Sequence, residues 1–159
     1  MKGIIIYATR YGCTEKAAKI LQKKIPGIKT VNIMKEKAPD LSLFDTVILG
    51  GPIYVGKTLS GLASYMQQNI EILKKKKLAL FLCAGEQDSV QIGRLLRDAF
   101  PEEIYRIAAV HEVFGGELRW EKLDFMTRLI LKLVKGIKEG YSRLSEEKIG
   151  RFANEISGL

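Results

Sequence analysis

The chain has 159 residues, of which 47% are hydrophobic and 28% charged, and its formal net charge is +8. This length predicts one domain over residues 1–159 with a core of ordinary size, and no apolar run approaches the roughly 18 residues of a membrane-spanning helix. The first residues lack the basic start and cleavage-like site of a signal peptide. Cys13 and Cys83 are the only cysteines and do not have metal-ligand spacing. We therefore expect a soluble protein in a reducing, cytoplasmic setting, with no metal site.

The positive charge is concentrated in the first half of the chain. Residues 1–80 hold 14 Lys and Arg against 5 Asp and Glu, whereas residues 81–159 hold 12 against 13. A basic surface attracts nucleic acid, anionic lipid or an acidic protein, so net charge alone does not choose among these partners. We expect no nucleic-acid binding, because the chain has no reader motif and its basic residues are not interleaved with aromatic ones.

Strand and helix patterns alternate along the chain without a linker or repeat. Helices are predicted over 13–24, through Leu62 to Leu73, from Asp88 or Ser89 to Pro101, and after Ser145. Five segments have the apolar, β-branched character of strands: 3–8, 28–34, 46–50, 78–83 and 104–113.

The first, third and fourth of these strands are continuous apolar runs, which is typical of a parallel sheet covered on both faces. The pattern predicts a doubly wound α/β domain with five parallel strands in the order 2-1-3-4-5. In such folds ligands bind outside the carboxyl ends of the strands, where the strand order reverses. That position lies between strands 1 and 3, so the loops 9–14 and 50–58 are predicted to be binding loops.

The first of these loops has the composition of a phosphate site. It joins a strand to the start of a helix, where free N–H groups and the helix dipole favour an anion. Thr9, Tyr11 and Thr14 offer hydroxyl groups, and Gly12 allows close approach of the backbone. Arg10 is predicted equally to pair with phosphate or to face solvent, and Cys13 to contribute a backbone N–H rather than a redox thiol.

The second loop permits a competing interpretation. Gly51 to Thr58 matches the nucleotide P-loop pattern G-x-x-x-x-G-K-[ST], which would suggest ATP or GTP. No neighbouring strand ends in the acidic residue that Mg²⁺ would need, and the loop contains Pro52, Ile53, Tyr54 and Val55, which suit a flat ring better than a triphosphate. A dinucleotide fingerprint, G-x-G-x-x-G, is absent after strand 1. We therefore favour a mononucleotide with a flat ring.

At this point the chain resembles the flavodoxin family. Thr9-Arg10-Tyr11-Gly12-Cys13-Thr14 is similar to the FMN phosphate loop of that family, Gly50 to Tyr54 to its first ring loop, and Cys83 to Asp88 to its second. The resemblance implies bound FMN, with Tyr54 stacked on the ring and no catalytic acid or base assigned to the protein. It predicts the following cofactor-binding residues: Thr9, Arg10, Tyr11, Gly12, Cys13, Thr14, Gly51, Pro52, Ile53, Tyr54, Val55, Gly56, Cys83, Ala84, Gly85, Glu86 and Asp88.

Within that family the chain looks most like the quinone-dependent protoporphyrinogen dehydrogenases. The shared features are the Arg in the phosphate loop, Gly116-Glu-Leu-Arg-Trp120, and the basic segment that follows. The resemblance implies an FMN enzyme that oxidises protoporphyrinogen IX and passes electrons to a quinone. The alternative is a flavodoxin-type electron carrier between redox partner proteins, although carriers of this family are typically acidic and this chain is basic.

Residues 119–143 are unusual for the fold. They hold seven Lys and Arg against three acids, and their apolar residues repeat at intervals of three and four, which predicts a basic amphipathic helix near 121–139. Such a helix could cover the sheet, pair with a second subunit, or lie on an anionic membrane surface. We accordingly expect dimerisation or peripheral contact with the inner face of the cell membrane as alternatives.

Overall fold

The computed structural model describes residues 2–54 and 56–159. Five parallel strands form one sheet in the order β2-β1-β3-β4-β5, which confirms the predicted fold. The strands are β1 (Gly3–Tyr7), β2 (Lys29–Asn32), β3 (Thr46–Pro52), β4 (Lys77–Cys83) and β5 (Val110–Val113). Two further short strands, β6 (Glu117–Leu118) and β7 (Tyr141–Ser142), pair antiparallel outside this sheet.

Helices lie on both faces of the sheet. Their bounds are α1 (Cys13–Lys24), α2 (Ser60–Gln68), α3 (Ile70–Leu73), α4 (Ser89–Ala99), α5 (Glu102–Ile107), α6 (Phe125–Lys135) and α7 (Glu146–Ser157). In the residues that the structure describes, no helix combines the length and the apolar character needed to cross a membrane.

The alternation of side chains along the central strands divides the core into two clusters. Ile4 and Ile6 of β1 pack on one face with residues of α2, α3 and α4, whereas Ile5 and Tyr7 pack on the other with residues of α1 and α7. Both faces are apolar because each successive side chain of a strand points to the opposite side. The sheet is therefore covered on both sides, as the continuous apolar runs indicate.

The predicted fifth strand over 104–113 is wrong in its first half. Residues 102–107 form α5, and only 110–113 pair with β4. Pro101 immediately precedes this helix, and Glu102 and Glu103 lie in its first turn, where acidic side chains are favoured by the helix dipole. Buried Ile104 gives the segment an apolar appearance that resembles a strand.

Two other predicted elements differ in extent. The helix through Leu62 to Leu73 is divided at Asn69, whose side-chain amide donates a hydrogen bond to the Tyr65 carbonyl oxygen at 2.8 Å. The helix expected near 121–139 spans only 125–135, because Asp124 caps its start and Gly136, at φ 66°, ends it in the left-handed region.

Residues 114–145, which we call the β5–α7 excursion, carry β6, α6 and β7 out of the sheet and back. The N–H of Arg143 donates to the Gly116 oxygen at 2.7 Å, and the N–H of Ser145 donates to the Phe114 oxygen at 2.7 Å. These two bonds close the excursion at its base, so the chain enters α7 beside the point where it left β5.

Candidate functional site

The three loops predicted to bind a ligand leave the sheet side by side. The N–H of Ala8, after β1, donates to the oxygen of Gly50 in β3 at 3.1 Å, and the N–H of Ile53, after β3, donates to the oxygen of Cys83 in β4 at 3.3 Å. The carboxyl ends of β1, β3 and β4 thus lie next to one another, at the position where the strand order reverses.

The first loop opens onto the N-terminus of α1. Gly12 is the residue before the helix, at φ 94°, and no side chain caps the helix there. The N–H of Gly12 is held by the Thr9 hydroxyl oxygen at 3.1 Å, which fixes the turn. The first N–H groups of a helix have no partner within it and carry its positive dipole end. This terminus is therefore suited to an anion.

Buried hydroxyl groups without partners lie in the same region. Thr14 is fully buried, and its Oγ1 atom has no hydrogen-bond partner among the described residues. The same holds for the hydroxyls of Tyr11, in the first loop, and Thr58, in the second. Buried polar groups in folded proteins are nearly always satisfied, so these three hydroxyls are candidates to contact a polar ligand. Asn32, Tyr65 and Arg128 also carry a buried polar atom without a partner among the described residues.

An aromatic and cationic cluster joins the first two loops. The rings of Tyr11 and Tyr54 contact edge to face, with centroids 6.0 Å apart, and the guanidinium of Arg10 lies 5.4 Å from the Tyr11 centroid and 5.9 Å from the Tyr54 centroid. Burial raises the pKa of Tyr54, with Tyr11 as a secondary cause. The cluster brings a positive charge and two flat side chains to one end of the site.

The second loop is a tight turn rather than an open phosphate cradle. The N–H of Tyr54 donates to the Lys57 oxygen at 2.8 Å, and the N–H of Lys57 donates to the Tyr54 oxygen at 3.0 Å. A P-loop needs its backbone N–H groups free to surround phosphates, so these bonds count against the P-loop interpretation. Val55, a predicted ligand contact, lies outside the described residues.

Glycines in these loops allow close packing. Gly51 is buried, and a Cβ there would lie 2.6 Å from the Thr58 hydroxyl oxygen. A Cβ on Gly85 would overlap the hydroxyl group of Tyr141. A side chain at either position would require the neighbouring polar side chain to move, so glycine permits the close approach of the backbone.

The third loop begins at a pair of thiols. Cys83 is buried at the end of β4, and its thiol lies near that of Cys13 at the start of α1. The neighbouring Cys83 is the main reason why the pKa of Cys13 is lowered, while Cys13 and burial together raise the pKa of Cys83. The sequence places the two residues 70 positions apart and gives no local sign of this contact.

Two predicted carboxylates of the third loop are used by their own backbone. Glu86 accepts hydrogen bonds from the N–H groups of Gln87 at 2.8 Å and Asp88 at 2.9 Å, which lower its pKa. Asp88 caps α4 by accepting from the N–H of Gln91 at 2.9 Å. Both side chains are exposed, and their evident role is to shape the loop.

A cleft of about 900 Å³ lies between the second and third loops and the end of the β5–α7 excursion. Ile53 and Ala84 line it, as do Lys135, Lys138 and Arg143. The remaining lining residues are Gly56, Gly85, Glu86, Leu95, Gly136, Ile137, Glu139, Gly140 and Tyr141. Because three cations outnumber the two anions and apolar side chains are also present, the cleft is suited to a partly apolar, anionic molecule.

Sequence reasoning missed the contribution of residues 135–143 to this cleft. The third loop carries no aromatic residue, but the structure places Tyr141 from a distant segment directly against Gly85. A second cavity, of about 590 Å³, lies between residues 33–41 and helices α2 and α3. None of the predicted site residues that the structure describes lines it, and no cluster of potential metal ligands is found in the described part of the chain.

Residues 4–145 match the family model described as a flavodoxin domain. The search of curated proteins gives no match.

Solved structures with a similar fold include the two-electron reduced flavodoxin of Megasphaera elsdenii, with 14% identity, a TM-score of 0.59 and 99% of each chain covered. The flavodoxin of Fusobacterium nucleatum bound to flavin mononucleotide matches with 16% identity and a TM-score of 0.54, over 99% of this chain and 98% of that one. The flavodiiron protein of Giardia intestinalis matches with 12% identity and a TM-score of 0.53, and 99% of this chain spans 36% of that longer one.

Proposed function

Because this chain belongs to the flavodoxin domain family, we propose that it binds FMN non-covalently and carries out flavin redox chemistry. The observation that carries this proposal is the uncapped N-terminus of α1 together with the buried, unpartnered hydroxyls of Tyr11 and Thr14 at its start. A phosphate ester would satisfy both the hydroxyls and the first N–H groups of α1.

The residues present fit the two ends of FMN. Thr9, Thr14 and the N–H groups after Gly12 would hold the phosphate, with the Arg10 charge close by. Tyr54, which is half-buried and already in aromatic contact, would pack against the ring. When bound, the flavin supplies hydride or single-electron transfer, and the protein supplies position and electrostatics.

The test is a titration of the purified protein with FMN, followed by visible absorbance and flavin fluorescence. Thr14→Val removes one hydroxyl with little change of shape and should weaken FMN binding about tenfold, the usual value of a hydrogen bond to a charged group. Thr30→Val, in β2 away from the loops, is the matched control and should leave affinity unchanged. If the wild-type protein binds no FMN, the proposal fails.

We further propose that the chain is an enzyme of the protoporphyrinogen dehydrogenase type, which passes electrons to a quinone. Two observations support this. The segment Gly116–Trp120 resembles that branch, and the cleft beside the ring loops carries Lys135, Lys138 and Arg143. These cations are suited to the two carboxylates of a tetrapyrrole such as protoporphyrinogen IX, while Ile53, Leu95 and Ile137 offer apolar contact.

An electron carrier between proteins is the alternative function, and a substrate assay distinguishes the two. The FMN-loaded protein is mixed anaerobically with protoporphyrinogen, and flavin bleaching is followed before and after addition of a menaquinone. If the protein is an enzyme of this type, protoporphyrinogen should bleach the flavin absorbance and the menaquinone should restore it. The double variant Lys135→Gln with Lys138→Gln should then raise the KM for protoporphyrinogen roughly tenfold, because charge pairing with the substrate is lost. The double variant Lys23→Gln with Lys24→Gln removes the same charge from the end of α1 and should leave KM unchanged. No bleaching by protoporphyrinogen would favour the carrier.

A further inference from the structure

Helix α6 presents its apolar side to solvent. Six of the eleven exposed large hydrophobic side chains found in the described residues belong to this one helix. They are Phe125 (76% exposed), Met126 (60%), Leu129 (37%), Ile130 (55%), Leu133 (73%) and Val134 (75%). Contiguous apolar patches of this kind on a water-facing surface mark interaction sites, whereas single exposed residues do not.

The six side chains form one continuous face. At about 100° per residue, they occupy roughly half of the helix circumference, from Phe125 through Leu129 and Leu133 to Val134. Thr127, Arg128 and Leu131 occupy the opposite side and are less exposed. The interpretation that this segment covers the sheet is therefore wrong, because no residue within 125–135 is buried.

The helix is nevertheless well defined by its own ends. Asp124 accepts a hydrogen bond from the N–H of Thr127 at 2.9 Å and one from its hydroxyl at 2.6 Å. Gly136 ends the helix in the left-handed conformation, and its N–H donates to the Leu131 oxygen. These local caps define the two ends of α6.

The charge around this face is positive. Residues 125–135 contain Arg128, Lys132 and Lys135 and no acidic residue; Lys132 adjoins the apolar face, whereas Arg128 and Lys135 lie on the opposite side of the helix. Residues 119–143, which include the flanking Glu121, Asp124 and Glu139, together carry a net charge of +4, half of that of the whole chain. This excess of positive charge opposes the association of two copies through α6, whereas an anionic lipid surface would complement it.

We infer that α6 is a membrane-docking helix that lies in the plane of an anionic lipid surface. Its 11 residues are too few to span a bilayer but suffice for one apolar face to enter the interface while the flanking lysines contact headgroups. Lys135 and Gly136, at the end of the helix, also line the cleft beside the ring loops. A docked molecule would thus hold that cleft near the lipid surface. The docking itself does not depend on FMN binding.

The test is co-sedimentation of the full chain with vesicles of equimolar phosphatidylglycerol and phosphatidylcholine. The protein should pellet with these vesicles, and added salt or pure phosphatidylcholine should weaken binding. Phe125→Ser with Leu133→Ser should lower the partition coefficient at least about tenfold through lost apolar burial. Leu43→Ser with Val90→Ser removes two side chains of comparable exposure elsewhere (62% and 61%) and should change it little.

Two double variants that remove lysine charges test whether electrostatic attraction to the anionic lipid contributes to docking. Lys122→Gln with Lys132→Gln should lower partition roughly tenfold or more, since each basic residue near an anionic surface contributes about 1 kcal/mol. Lys23→Gln with Lys24→Gln, an equal charge change at the end of α1, should lower it far less. All these positions are exposed, so FMN titration and thermal melting can verify that each variant is folded.

Three results would overturn the inference. The wild-type protein could remain in the supernatant with anionic vesicles, or the Phe125 and Leu133 variant could pellet as well as its control. Sedimentation equilibrium without lipid could also show a dimer that Phe125→Ser with Leu133→Ser converts to a monomer, which would assign the face to a second copy.

Discussion

The Nζ atom of Lys16 lies 2.7 Å from an Oε atom of Glu117, so helix α1 is joined to the β5–α7 excursion across 101 residues of sequence. Glu117 is also paired with Arg119 at 2.6 Å, and its side chain is only 9% exposed. The same helix begins at the candidate phosphate loop. The ion pair therefore connects the loop that would hold an anion to the segment that carries α6.

This pair should make stability depend on pH. Hydrogen bonds from Lys16 and then Arg119 lower the pKa of Glu117 from its ordinary value of 4.5 to about 2. A carboxylate with a lowered folded pKa stabilises the protein above pH 4.5 and loses that contribution as pH falls toward 2. Glu117→Gln should cost about 1 kcal/mol at neutral pH, since both partners are partly exposed, and the difference from wild type should shrink below pH 4.5 and vanish only below about pH 2. Urea unfolding at several pH values measures this, and a constant difference at all pH values would contradict it.

Cys13 should be the more reactive of the two thiols. The neighbouring Cys83 thiol lowers the pKa of Cys13, and Cys13 is half-buried whereas Cys83 is buried in the core. Because the thiolate is the reactive form, iodoacetamide should modify Cys13 first, with a pH midpoint below 9. Peptide mass mapping gives the site. Cys83→Ser, which replaces the neighbouring thiol, should shift the midpoint, and preferential labelling of Cys83 would disprove the assignment.

Gly12 and Gly136 offer a matched pair of left-handed glycines. Their φ angles are 94° and 66°, and a Cβ at either position would meet no atom within 4 Å. Alanine at each should therefore cost about 1 kcal/mol of backbone strain and no steric clash. Gly12→Ala should also weaken FMN binding, because it distorts the turn that presents the α1 terminus, whereas Gly136→Ala should not. Parallel melting and FMN titration separate the two effects, and equal FMN affinities would place Gly12 outside the site.

Helix α6 should depend on its cap more than on packing. Asp124→Ala removes both hydrogen bonds to Thr127 and should destabilise the helix by about 1 kcal/mol. Since no residue of 125–135 is buried, the global melting temperature should hardly change. Amide exchange across 125–135 should accelerate severalfold while exchange in β1 and β3 stays slow. Asp40→Ala, which removes a cap from the short turn at Leu41–Leu43, is the control and should not affect α6.

The strand order and the position of the site follow from local sequence patterns. Continuous apolar runs such as Ile4–Tyr7 indicate strands buried on both faces, and a parallel doubly wound sheet then places its binding loops at the strand-order reversal. The loops after Tyr7 and Pro52 were predictable on this basis, the loop after Cys83 was predicted from the family resemblance, and the structure has all three adjacent. The ligand contacts assigned to their residues remain predictions.

The features that only the tertiary structure decided are contacts between distant segments. The Cys13–Cys83 pair, the packing of Tyr141 against Gly85, and the Lys16–Glu117 bridge each join residues at least 56 positions apart. Likewise, the periodicity of residues 125–135 shows that one side of α6 is apolar but not which way that side faces. A local pattern defines an element and its faces, whereas what covers a face depends on the whole packed chain. This is why the sequence by itself determined the sheet and its loops, and the three-dimensional packing determined the surroundings of the site and the outward face of α6.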